Sequence, residues 1–377
     1  MRIAIDYTPA VRQKAGIGRY TRGLASALAE VDRETTYILL SAGRDRTEKA
    51  WPANFHRRAL PLSDRHLAIL WQRLRLPLPV ELLTGPIDLF HSPDFTLPPV
   101  WRARTVLTIH DLSFMRCPEC FSKPLLDYLL ASVPRAVRRA DFILADSAST
   151  RRDLVELLGV PPERVAVVYP GVEAHFAPVE DAAALEARLA RYGVERPYLL
   201  GVGTLQPRKN FVRLIRAYHL LRERHGIPHR LVIAGAKGWL FEGIEEAIRD
   251  LHLGEWVKVT GFIPDEDLPA LYQGADVFAF PSLYEGFGIP VLEALACGTP
   301  VVTSNTSSMP EAAGDAALLV DPTDVEAIAE ALWRLLEEAP LRNALRTRGF
   351  EQVKRFSWVA SARIIHTIYR HLIEGGA

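Results

Sequence analysis

The 377-residue chain carries three cysteines and no net charge, with 45 Lys/Arg against 45 Asp/Glu. Three cysteines cannot build a disulfide framework, which fits a reducing cytoplasm. Cys117-Pro118-Glu119-Cys120 is a lone C-x-x-C. A structural zinc site needs a second pair of ligands, and none stands at suitable spacing. No apolar run approaches the roughly 18 residues of a membrane-spanning helix. The opening Met1-Arg2-Ile3-Ala4-Ile5-Asp6 reads as a strand, because Asp6 interrupts any apolar core of a signal peptide. No nucleic-acid motif is present, and a pI of 7.2 argues against a nucleic-acid partner. What remains is the composition of a soluble globular protein, 49% hydrophobic and 24% charged.

Short apolar runs alternate with helix-period segments along the whole chain. In the first half the strand-like runs are 3–7, 37–40, 87–90, 106–109, 142–145 and 165–169. In the second they are 198–202, 231–234, 257–260, 277–280, 301–303 and 317–320. Strands alternating with helices form βαβ units and parallel sheets. The pattern predicts an α/β protein of two doubly wound, Rossmann-like domains, at 1–170 and 197–355, with a linker at 171–196 and a last helix at 356–377. Charge is uneven between them. Residues 1–170 hold 24 Lys/Arg and 18 Asp/Glu, a balance of +6 that the remainder cancels. The first half is therefore the candidate to face an anionic partner or a membrane surface.

The most informative stretch is Glu285-Gly286-Phe287-Gly288-Ile289-Pro290-Val291-Leu292-Glu293. A strand precedes it, and Pro290 suits the first turn of a helix. The N–H groups of Gly288 and Ile289 then point out of a helix N-terminus, which suits a phosphate. Glu285 and Glu293 flank that cradle, and carboxylates accept hydrogen bonds from the hydroxyls of sugars and riboses. The bland alternative is a strand–loop–helix turn in which Glu293 favours the helix dipole.

Gly201-Val202-Gly203-Thr204-Leu205-Gln206-Pro207-Arg208-Lys209-Asn210 follows the first strand of the second half. Arg208 and Lys209 stand beside the helix that begins near Phe211, a placement that matches a diphosphate. Between strand one and helix one, Gly16 and Gly18 let backbone approach a ligand closely, although a tight turn explains them equally well. His110-Asp111 closes the run 105–109 and lies at a strand's carboxyl end, where such sheets bind ligands; His91 also follows a strand and supports it. Residues 64–76 read as an amphipathic helix, with Leu67, Leu70, Trp71 and Leu74 on one face between arginines. That face meets either the core or a membrane.

The segment 201–321, with Ser307-Ser308-Met309-Pro310-Glu311, resembles the donor-binding half of retaining glycosyltransferases of family four, in which two glutamates with seven residues between them mark the nucleotide-sugar site. The likeness is thinner at the N-terminus. It implies the glycosyltransferase-B architecture, two domains facing across a cleft with the last helix crossing back onto the first. It implies that Arg208, Lys209 and the Gly288-Ile289 helix end neutralise the departing diphosphate, with Gly203 and Phe287 in the donor site. Glu293 then accepts from the ribose and Glu285 from the transferred sugar. The Gly16–Gly18 loop lies over the donor, His110 holds the sugar near the anomeric carbon, and Asp111 contacts the acceptor or fixes the imidazole. Front-face transfer with retention is implied, with no metal and no cofactor, the nucleotide-diphospho-sugar being a substrate. Details such as Gly235-Ala236-Lys237-Gly238-Trp239 look most like bacterial mannosyltransferases. GDP-mannose is then the first donor and UDP-glucose or a related UDP-sugar the second. The expected acceptor is a glycan or polyprenyl-linked glycan, with peripheral membrane contact through the first domain. A nucleotide-sugar epimerase of the same architecture and a non-catalytic binding scaffold are the other readings.

Overall fold

A computed structural model describes residues 1–13, 16–43, 49–74, 76–178 and 181–375, apart from the side chains of Arg65, Ala68, Gln72 and Arg73. Lys14 and Ala15 of the glycine-containing loop, and Arg75 of the segment 64–76, lie outside the described residues. The chain divides into two compact units. One holds Met1–Leu112, Asp127–Gly171 and Ser357–Ala377; the other holds Ser113–Leu126 and Val172–Phe356.

The first unit is built on β1 (Arg2–Asp6), β2 (Thr36–Ala42), β3 (Phe55–Leu60), β4 (Leu89–Ser92), β5 (Arg104–Ile109), β6 (Phe142–Ala145) and β7 (Val165–Val167). They form one parallel sheet in the order β3-β2-β1-β4-β5-β6-β7. Ile3, Ala4 and Ile5 are fully buried, as a central parallel strand covered on both faces requires. β3 escapes the sequence pattern. It is an edge strand in which only Phe55 and Leu60 are buried, and His56, Arg57 and Arg58 between them face solvent. The helix Trp358–Glu374 packs on the helix Ile17–Val31 in this unit, and Gly23 leaves room for the Trp358 ring.

The second unit holds β8 (Tyr198–Val202), β9 (Arg230–Ala234), β10 (Val257–Gly261), β11 (Val277–Phe280), β12 (Val301–Ser304) and β13 (Leu318–Val320). The order is β10-β9-β8-β11-β12-β13, again all parallel. The two units are therefore doubly wound and Rossmann-like, as the alternation predicts. No helix among the described residues is long and apolar enough to cross a membrane.

The division differs in two places from one drawn at residues 170 and 197. Ser113–Leu126 belongs to the second unit, where Trp239 Nε1 donates to the Cys120 carbonyl at 2.8 Å and stacks on Phe121. Residues 172–196 also belong there, because Leu185 and Leu189 of the helix Ala182–Arg191 are buried in that unit. The segment 64–76 is not one amphipathic helix. The helix Asp64–Ala68 gives way to a π-helical turn at Ile69–Arg73, closed by the Leu74 N–H on the Ile69 carbonyl. Pro77 and Pro79 follow and lack the N–H that a longer helix needs. Leu67 is buried while Leu74 is exposed, so the four apolar residues do not share a buried face.

Candidate functional site

In the second unit the winding reverses between β8 and β11, which are neighbours in the sheet although β9 and β10 lie between them in sequence. The crevice beyond the carboxyl ends of such strands is where open α/β sheets bind ligands. The loop after β8 runs through Gly203, at φ +151°, where a Cβ would press on the Lys209 side chain. A 3₁₀ turn at Pro207–Lys209 follows, then Asn210 in the left-handed conformation at φ +60°. Its amide donates to the carbonyls of Pro281 at 2.8 Å and Pro322 at 2.7 Å. That clasp ties the turn to the loop after β11.

Arg208 Nη1 donates to Glu285 Oε2 at 2.8 Å and to the Tyr284 carbonyl at 2.7 Å. Lys209 Nζ donates to Glu285 Oε1 at 2.7 Å. The three side chains are 13%, 12% and 8% exposed, so two cations share one carboxylate out of water. Burial alone pushes the Glu285 carboxyl up; Arg208 and Lys209 outweigh it and hold its pKa below the usual value. The Glu285 N–H donates to Ser307 Oγ, and Ser308 Oγ donates to the Glu285 carbonyl. The structure thus brings Gly203, Arg208, Lys209 and Glu285 together as one cluster. It carries one net positive charge and suits a diphosphate.

Gly288 takes φ +100°, a conformation that strains any residue with a side chain, and a Cβ there would displace the end of the Met309 side chain. The helix Ile289–Ala296 starts immediately after it, with Pro290 in the first turn and free N–H groups at its opening. Two residues of this stretch are held by buried neighbours. Phe287 is buried and packs its ring against Phe356, with centroids 5.2 Å apart. Glu293 is one turn into the helix on its inner face, 1% exposed, and its Oε2 accepts from Tyr272 Oη at 2.7 Å.

The first unit holds a different constellation. Asp6 ends β1, Asp94 follows β4, His110 follows β5 and Asp146 follows β6, and those strands are consecutive neighbours in the sheet. His110 Nδ1 lies 2.6 Å from Asp146 Oδ2, and Nε2 lies 2.9 Å from the Pro93 carbonyl. A carbonyl only accepts, so Nε2 carries a proton, and the carboxylate holds a second on Nδ1. Burial opposes that charge, yet Asp146 and Asp94 prevail and raise the His110 pKa to about 9. Both ring nitrogens are thereby engaged within the unit, so His110 acts as a fixed positive charge. Burial pushes Asp94 up to about 6, and it raises Asp6 as well. His91 is a buried strut between Tyr369 and Thr108, its pKa lowered to about 3 by burial and by His110. Asp111 is half-buried, and its charge helps raise Asp146.

The two N-terminal glycines serve the backbone. Gly16 takes φ +56° to enter the helix Ile17–Val31, and a Cβ on Gly18 would overlap the Gln13 carbonyl. The close approach at Gly18 is thus to the chain itself. Sequence reasoning missed Asp6, Asp94 and Asp146, although each stands at or just past a strand's carboxyl end. One D-x-D string is present, Asp265-Glu266-Asp267, but Asp267 accepts from Tyr192 Oη at 2.6 Å. Among the described residues no group of three His, Cys, Asp or Glu is placed to hold a metal.

Residues 15–176 match the family model described as Glycosyltransferase Family 4, and residues 190–352 match Glycosyl transferases group 1. The chain is 34% identical over 375 residues to O-antigen chain mannosyltransferase B of Escherichia coli, covering 95% of this chain and 96% of that protein. It is 31% identical over 280 residues to the serotype-specific mannosyltransferase WbdA of Escherichia coli, covering 72% of this chain and 34% of that longer one. Sucrose-phosphate synthase from Thermosynechococcus elongatus has the same fold, with a TM-score of 0.76 at 22% identity and 100% of both chains covered.

Proposed function

Because the chain belongs to the glycosyltransferases of group 1 and family four, we propose that it transfers a hexose, mannose first, from a nucleoside-diphospho-sugar to a glycan hydroxyl. The observation that carries this reading is the Arg208–Glu285–Lys209 cluster at the switch point of the second unit. As the glycosidic bond breaks, negative charge grows on the diphosphate. Arg208, Lys209 and the helix opening at Gly288-Ile289 meet it with donors already in place. Glu285 is the partner that changes. Without ligand it holds the two cations apart; with ligand they turn to phosphate and its oxygens accept from the hexose hydroxyls. Glu293 receives the ribose hydroxyls, and Tyr272 fixes its orientation.

GDP-mannose is the proposed donor, supported by two mannosyltransferases among the relatives, with UDP-glucose or a similar UDP-sugar as the competitor. Retention at the anomeric carbon follows the family, with the leaving phosphate helping to deprotonate the acceptor. The two cations supply the charge stabilisation that a divalent metal would otherwise supply, so chelators leave turnover intact. We assign the chain to the cytoplasmic face of a membrane. Exposed Leu78, Leu82 and Trp101 support that contact, with the N–H groups of Trp101 and Arg102 held on Glu81 Oε1.

A thermal-shift panel of nucleoside diphosphates and sugar nucleotides in EDTA tests the reading. GDP and GDP-mannose should stabilise the chain, by about 2.7 kcal/mol at a hundred times their dissociation constant. Proton NMR of the first product should show the donor's α-configuration. A panel with no stabilising nucleotide, or a β-linked first product, ends it.

A further inference from the structure

Cys117 and Cys120 play no part in the reading above, and both are free thiols. They bound a 3₁₀ turn at Pro118–Cys120, closed by the Cys120 N–H on the Cys117 carbonyl at 3.0 Å. Side chains three residues apart on such a turn eclipse, so the two sulfurs stand on one side of it. Cys117 Sγ has two acceptors in reach, the Ser113 carbonyl at 3.2 Å and the Cys120 sulfur. The bond between the sulfurs, and then burial, raise the Cys117 thiol; the same bond lowers Cys120 against burial. Arg208 and Arg213 lower Cys120 further, and Glu119 opposes them. Reactive thiols stand in electropositive surroundings of this kind, whereas inert buried ones do not. Among the described residues no third ligand joins the pair to make a metal site.

The turn is tied to the loop that follows β8. The Cys120 carbonyl holds Trp239 Nε1, and Phe121 stacks on the same ring. One residue before Trp239, the Gly238 N–H donates to the Leu205 carbonyl at 3.0 Å, and the Leu205 N–H donates to the Ala236 carbonyl at 2.9 Å. Leu205 belongs to the loop that carries Arg208 and Lys209. We propose that Cys117 and Cys120 are a peroxide-sensitive dithiol whose reversible disulfide loosens that loop through Trp239. The Cys120 thiolate attacks a peroxide oxygen, the O–O bond breaks, and hydroxide leaves and takes up the thiol's proton as water. The Cys117 sulfur then attacks the sulfenic acid on Cys120; the S–S bond forms, the S–O bond breaks, and the Cys117 proton departs in a second water. Two thiols are oxidised and one peroxide is reduced to two waters. Cys117 is 7% exposed and Cys120 2%, which favours an oxidant as small as hydrogen peroxide over a bulky disulfide. Closing the link draws the two residues together and shifts the carbonyl that holds Trp239. The disulfide stands apart from the transferase reading, while its effect on nucleotide affinity rests on it. Cys297 is an internal control, because burial pushes its thiol up.

The test treats the full reduced chain with a small excess of hydrogen peroxide. Its intact mass should fall by two hydrogen atoms, and dithiothreitol should restore it. Peptide mapping should place the link on Cys117 and Cys120 and leave Cys297 free to be alkylated. Cys117→Ser and Cys120→Ser should each abolish the loss of mass, and Cys297→Ala should keep it, with circular-dichroism melts showing that each variant is folded. In the oxidised chain, hydrogen-exchange mass spectrometry should show faster exchange at residues 203–209. GDP affinity in isothermal calorimetry should fall at least threefold and return on reduction. An unchanged mass, a gain of oxygen atoms without a link, or a link through Cys297 overturns the dithiol. A link that changes neither the exchange at 203–209 nor GDP affinity overturns its coupling to the loop. A reduced chain that binds no nucleotide would instead count against the transferase reading, and the mass and exchange measurements would still decide the switch.

Discussion

β8 and β11 bring two cations and one carboxylate to the switch point of the second unit, and β1 and β4 bring two carboxylates to that of the first. The sheets are wound alike, so the difference is not one of architecture. It lies in a few residues at strand ends. In the second unit, Glu285 keeps its charge because two cations hold it, and the cluster as a whole attracts anions. In the first, Asp6 and Asp94 have no such pair, burial raises both, and the positive charge stands one strand away on His110. One winding pattern can thus present a cationic cluster or a pair of carboxylates, according to which side chain follows the strand.

The largest test of that contrast removes charge from each crevice. Arg208→Ala with Lys209→Ala strands a buried carboxylate and should cost about 3–5 kcal/mol in urea melts. Adding Glu285→Gln should recover at least half of it. The mirror change, Asp6→Asn with Asp94→Asn, should be neutral or stabilising at pH 7, because burial already disfavours both ionised forms. Losses of equal size in the two units would erase the comparison.

Next in size is nucleotide affinity. Arg208→Ala alone should weaken GDP by about 1.5–3 kcal/mol, as expected for a charge-assisted contact, in isothermal calorimetry. Trp71→Ala, at the crevice of the first unit, should leave GDP affinity where it was. Equal effects of the two changes would mean that GDP does not distinguish the crevices.

A smaller effect separates the two glutamates of the motif. Tyr272→Phe removes a hydrogen bond to a buried carboxylate and should cost about 1.5 kcal/mol of stability. It should weaken GDP less than Glu293→Gln does, because Tyr272 only orients the group proposed to meet the ribose. The opposite ranking would make Glu293 a structural residue.

The smallest is a pH effect confined to the first unit. The folded pKa of His110 is raised to about 9, above the roughly 6.5 of an unfolded chain. Its stabilisation is therefore complete below that lower value and is lost as pH climbs through the upper one. Between pH 8 and 9 the parent should lose about 1 kcal/mol more than His110→Gln in urea melts. Parallel curves would show that Asp146 does not hold a proton on the ring.

The sequence made the second crevice far more legible than the first. Arg208 and Lys209 are adjacent, and Glu285 opens a motif with a proline and two glycines, so the family resemblance gathers on these residues before any fold is known. Asp6, Asp94 and Asp146 are single aspartates after apolar runs, and only the strand order places them in one row. β3 was hidden because solvent-facing arginines replace its apolar positions, and the segment 64–76 misled because helical spacing does not reveal a π turn. The motif does not reveal what Phe287 and Glu293 pack against. Their packing on Phe356 and Tyr272 depends on elements remote in the chain.

The assignment of Ser113–Leu126 to the second unit has a practical side for anyone dividing the gene. A fragment cut at Gly171 would carry these residues away from Trp239, which would lose both its Cys120 acceptor and its Phe121 neighbour. A chimera joined at that point would import a foreign piece of the second unit along with the first. Recombination between relatives at the apparent boundary therefore exchanges more than one domain. A clean exchange needs this segment to travel with the residues that follow Gly171 rather than with those that surround it in the chain.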